Sequence, residues 1–89
     1  MISAKEAVKI AFSYMKEFFP KERELELEEI ELDDNRKDWS ITISFPDKRT
    51  TSGIAAFTHS ITSAPRKYKS ILVNLENGNV DAMKIRKLA

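Results

Sequence analysis

Arg66–Leu88, RKYKSILVNLENGNVDAMKIRKL, decides the fold. Asn77-Gly78 is a strong hairpin signal, because both residues tolerate positive φ. The arm before it carries Ile71, Val73 and Leu75 at period two, and the arm after it carries Val80, Ala82, Met83 and Ile85. Two registers are open. A two-residue type I′ turn pairs Leu75 with Val80. A type I turn with Gly78 in a bulge pairs Ile71 with Met83. The second groups Ile71, Val73, Met83 and Ile85 into the better apolar face and is preferred, since a one-residue slip sends every side chain to the opposite face.

Working outward, Ser3–Phe19 reads as a helix. Ser3 and Glu6 form a capping box, and Pro20 stops the element. Ala4, Ala7, Val8, Ala11, Tyr14, Met15 and Phe18 recur at helical spacing, widened by Phe12, Phe19 and Ile10. A stripe this wide suits a helix lying across a sheet. Residues 24–32, ELELEEIEL, alternate as a strand, but Leu25 and Leu27 are out of phase with Ile30 and Leu32. A β-bulge at Glu28-Glu29 would return all four to one face. Its glutamates form a solvated outer row that discourages aggregation at a sheet edge. DDNRKD (33–38) is a turn. A Ca²⁺ loop at Asp33, Asp34, Asn35 and Asp38 lacks the spacing, the glycine and the terminal Glu of an EF-hand, so no metal is expected. In WSITISF (39–45), Trp39, Ile41, Ile43 and Phe45 point inward and Ser40, Thr42 and Ser44 outward.

These elements predict an α+β fold: one N-terminal helix (3–19) packed on a four-stranded antiparallel meander sheet with strands 24–32, 39–46, 66–75 and 79–88. The 89 residues form a single domain. Residues 47–65 are a long loop or a strand extension. That segment is rich in Ser and Thr yet carries Ile54, Phe57 and Ile61, and long connections inside small domains commonly carry function.

An apolar fraction of 42% and a charged fraction of 33% are ordinary for a globular chain. Without cysteine there is neither a disulfide framework nor a thiolate zinc site. No apolar run approaches the ~20 residues of a membrane span, and no leader sequence opens the chain, so a cytoplasmic location without membrane attachment is expected. The net charge of +1 hides an asymmetry. Residues 21–38 hold nine acids against four bases, and residues 64–89 hold six bases against two acids. In a meander these runs fall on opposite edges, which suggests a homodimer in which an acidic edge attracts a basic one.

Helix start, Trp-led strand and final hairpin together resemble the PepSY domain. ISAKEAVKIA, Trp39 and YKSILVNLENGNV carry the resemblance, with Ile2, Ser3, Ala7, Ala11, Trp39, Tyr68, Val73, Gly78 and Val80 at matching positions. It covers about half of the chain. It implies one helix on an antiparallel sheet, as in a cystatin-type fold, and a role in binding or inhibiting peptidases or as an accessory module. Asn74 stands where that family often has an acid.

No catalytic constellation emerges. His59 is the sole histidine. Thr58 and Ser60 flank it, but adjacent strand residues point to opposite sides and no third member orients a relay. Only Gly53 and Gly78 are available to a phosphate loop, and no cofactor is implied. The leading expectation is a small non-enzymatic module that binds another protein or a peptide through Ser40, Thr42, Ser44, Ile54, Phe57, His59 and Ile61. A basic patch of Arg66, Lys67, Lys69, Lys84, Arg86 and Lys87, with Tyr68 among them, raises a weaker nucleic-acid alternative.

Overall fold

A computed structural model describes residues 1–47 and 65–86. The elements follow in the order α1 (Ala4–Phe18), β1 (Glu26–Leu32), β2 (Asp38–Pro46), β3 (Arg66–Asn74) and β4 (Val80–Arg86). The strands form one antiparallel sheet in the order β1-β2-β3-β4, with α1 on one face. This is the expected α+β meander. Among the described residues, no helix is long and apolar enough to cross a membrane.

Helix α1 begins where the sequence signals it. The Ser3 hydroxyl accepts the Glu6 backbone N–H at 3.1 Å, and the Glu6 carboxylate takes the Ser3 hydroxyl at 3.4 Å. Ser3→Ala is expected to cost about 1 kcal/mol, read as a lower midpoint in chemical denaturation. Ala7, Ala11 and Met15 are fully buried. Small side chains at two of these positions let the helix approach Ile41, Ile43, Ile71 and Val73, which complete the core with Phe45. Phe18 lies outside this contact: it is exposed and stacks on Tyr14, centroids 4.6 Å apart.

Strand β1 takes the bulge that its out-of-phase leucines require. Leu27 pairs with Ile43 and Glu29 with Thr42, which leaves Glu28 as the extra residue. Leu27, Ile30 and Leu32 therefore lie on the helix side, opposite Ile43, Ile41 and Trp39. The strand starts later than its alternation suggests, because Glu24 adopts a left-handed φ of 58°.

The closing hairpin adopts the preferred pairing of Ile71 with Met83. The extra residue is Asp81, between the Val73–Val80 and Leu72–Ala82 pairs, rather than at the turn itself. Gly78, at φ 74°, is left-handed, whereas Asn77 is not. A type I′ turn needs both, so the Leu75–Val80 register is closed to the chain. Leu75 instead lies in the turn and is buried. Its N–H reaches Lys37 O at 2.9 Å, and its own carbonyl accepts Ile2 N–H at 2.7 Å. The N-terminus is thereby pinned to both turns at one end of the sheet.

Candidate interaction surfaces

The sheet face opposite α1 carries Ser40, Thr42 and Ser44, as the alternation of β2 requires. All three are buried. A partner approaching this face therefore meets chiefly the side chains lying beside and over them.

Those side chains are arginines and glutamates from the flanking strands. The Arg66 Nε donates to Ser44 Oγ at 2.9 Å, and the Ser44 hydroxyl donates in turn to Glu28 Oε2 at 2.6 Å. The other arm of Arg66 donates to Glu24 O at 2.7 Å and lies 3.9 Å from Glu26. The left-handed backbone at Glu24 presents that carbonyl, and a charge-assisted bond offsets its cost. Arg86 extends from β4 to β1, three strand spacings or roughly 14 Å away. Its Nη1 lies 2.7 Å from Glu29 Oε1 and 3.5 Å from Glu31 Oε1, and it donates to Thr42 Oγ1 at 3.3 Å. The Glu29 contact is an ion pair whose angle is too poor for a hydrogen bond. Thr42 and Ser70 share a further hydrogen bond beneath. The acidic and basic runs of the sequence thus meet inside one chain.

This arrangement also divides the expected basic patch. Arg66, Lys84 and Arg86 lie on the helix-free face, by their pairing with Pro46, Ser70 and Tyr68. Lys67 and Lys69 pair with Phe45 and Ile43 on the helix side. The Lys69 ammonium sits 5.9 Å from the Phe19 ring centroid, and that ring stacks on Phe45. The described cations therefore do not converge on one surface, and two of them are already paired. Lys87, Ile54, Phe57, His59 and Ile61 lie outside the described residues, as does the expected loop or strand extension between 47 and 65.

Strand β1 presents a half-exposed apolar row. Leu27, Ile30 and Leu32 are 42%, 40% and 43% exposed. They form a row on the helix side of an edge strand, where α1 only partly covers them. Their alternation reports which side they face, but not how far across the sheet the helix reaches. Ile85, on the opposite edge, is 73% exposed.

At the turn end of the helix-free face sits a buried carboxyl, Asp38. Burial first, and then the Asp81 carboxyl within hydrogen-bonding reach, hold it above the ordinary aspartate range. The β1–β2 turn uses Asn35 for its own closure: Asn35 Oδ1 accepts the N–H groups of Lys37 and Asp38 at 2.7 and 3.2 Å. Among the described residues, no three acidic or histidine side chains converge as metal ligands. Between α1 and β4, Lys9, Ile10, Ser13, Tyr14, Glu17 and Val80 line an open groove of about 330 Å³. Comparison of the chain with protein families, with curated proteins and with solved structures finds no match.

Proposed function

We propose that this chain is a small non-enzymatic module that binds a protein or peptide as an added strand along β1. One observation carries the proposal: an edge strand whose helix side shows Leu27, Ile30 and Leu32 in a half-exposed row. An edge offers unpaired backbone donors and acceptors, and alternate side chains supply specificity. The fitting partner segment is extended, with aliphatic side chains towards α1 and small or basic ones towards Glu26, Glu28, Glu29 and Glu31.

The test is selection of displayed peptides on the whole protein, repeated on Ile30→Lys. A lysine on an edge opposes strand addition, and at this exposed position it leaves the melting temperature within a few degrees. The expected result is a set of alternating aliphatic peptides whose binding falls at least about tenfold (~1.4 kcal/mol) on the variant. Peptides that bind both proteins alike, or no enrichment at all, would overturn the reading.

A peptidase-inhibitor-like role of PepSY type is the second reading. A helix laid on one face of an antiparallel sheet supports it, since the resemblance implies that arrangement.

A further inference from the structure

The two turns at one end of the sheet are joined by acids. Asp38, the first residue of β2, is 3% exposed. Asp81 is the bulged residue of β4. Asn74 of β3 lies between them, paired with Asp38 across the sheet. The two carboxyl groups are within hydrogen-bonding reach of each other. Two unprotonated carboxylates in that position have no proton to share and repel.

The surrounding amides show what the site is built to hold. Asn35 Nδ2 donates to Asp38 Oδ2 at 2.7 Å. Asn74 Nδ2 donates to Asp81 Oδ2 at 3.3 Å. Neither amide can be turned around, because backbone N–H groups hold both side-chain oxygens. Asn35 Oδ1 accepts from Lys37 and Asp38, and Asn74 Oδ1 accepts from Glu76 and Asn77. The outer oxygen of each carboxyl therefore already receives an N–H. Asp38 Oδ1 is buried and has no other partner.

A cation is a poor occupant here. Fixed amide N–H groups aim their positive ends at the acids, and a metal needs oxygen donors in their place. Nor does a side-chain cation serve. None of the ion pairs among the described residues includes Asp38 or Asp81: of the cations on the same face, Arg86 is engaged by Glu29 and Glu31, Arg66 lies by Glu26, and Lys84 stands opposite Ser70. Asp33, from the β1–β2 turn, also acts on Asp38, and it too is negative. Helix α1 lies on the opposite face. What remains is a proton.

We propose that Asp38 and Asp81 hold one proton between them and form a pH-sensitive clamp that ties the β1–β2 turn to β4. The proton belongs to the pair rather than to either residue. With it, one carboxyl donates to the other, and Asp38 Oδ1 gains its missing partner. Without it, two anions face each other beside a third. The clamp then loosens where Asp33 N–H meets Asp38 O and Leu75 N–H meets Lys37 O. The sign follows from the raised folded-state value of Asp38. Stability from the pair is fully present below the unfolded aspartate value of about 3.9 and is lost as pH rises through the folded value.

The test is carboxyl-carbon NMR of the whole protein across pH, with Asp81→Asn and Asp38→Asn. In the wild-type protein, Asp38 is expected to titrate above the reference value. In Asp81→Asn the repelling charge is gone and an amide N–H faces Asp38, so its titration moves down, while burial still holds it above the reference. In Asp38→Asn, the extra opening of the Asp33 and Leu75 amides at higher pH, seen as hydrogen exchange faster than base catalysis alone explains, disappears. Two results would overturn the clamp. One is an ordinary Asp38 titration in the wild-type protein. The other is an Asp38 titration that does not move in Asp81→Asn, which would leave burial as the whole cause. Both readings come from Asp38 in folded protein, and Asp81, being exposed, tolerates its substitution.

Discussion

Ile71→Ala is expected to lower the stability of the fold by about 2–5 kcal/mol. Ile71 is fully buried at the centre of the sheet, paired with Ile41 on one side and Met83 on the other. It lies within the cluster that holds Ala7, Ala11 and Met15. Truncation loses the transfer energy of three carbons and leaves a cavity that neighbouring strands cannot close, because both are hydrogen-bonded in register. Domains of this size have about 5–15 kcal/mol in all. A fall in melting temperature beyond about 10 °C follows, whereas Ile71→Val should cost about 1 kcal/mol. Thermal and urea unfolding read both. A loss below 1 kcal/mol for the alanine variant would mean that the helix can settle onto the gap.

Gly78→Val is expected to destabilise the hairpin turn by about 1–3 kcal/mol. The residue sits at φ 74°, where a β-branched side chain is strained. An added Cβ would also come within 3.2 Å of the Ile10 Cδ1. Gly78→Asn keeps tolerance of the left-handed backbone and should lose less than half as much. Equal losses for the two variants would shift the cause from the backbone to crowding against Ile10. Since Leu75, in the same turn, receives Ile2 and reaches Lys37, damage here should also loosen the N-terminus, visible as faster exchange of the Ile2 amide.

The fold was legible because its signals are local and agree. Ser3 with Glu6, Pro20, the alternation of β2 and the broken phase of β1 each name one element and its facing. The bulge at Glu28 follows from residues 25–32 alone. The position of the second bulge does not. Gly78 reports a left-handed turn, but the turn's length is set by Leu75, which is drawn into the core contact with Ile2 instead of extending β3. Surfaces were less legible, because exposure depends on partners distant in sequence. Ser40, Thr42 and Ser44 have the alternation of a solvent face, and the reach of Arg66 to Ser44 and of Arg86 to Thr42 across the sheet covers two of them. The opposite charge of the two runs was a signal for that reach. Leu27, Ile30 and Leu32 look like core residues until the width of the helix is known. Asp38 looks like an ordinary turn acid until β4 brings Asp81 beside it.

The extra residue at Glu28 also acts as a gauge of length. On either side of it, the backbone of β1 runs in a different phase, since Glu28 and Glu29 point the same way. A regular strand laid along this edge can stay in step over Glu29–Leu32, roughly 13 Å, before its side chains fall to the wrong side. Recognition is thus confined to a segment of about four residues. Additional length in a visitor brings no further gain unless it carries a matching insertion. A short reading frame of this kind favours brief, readily reversed encounters over permanent assembly, and it shields the edge from the endless strand stacking that an unbroken one would invite.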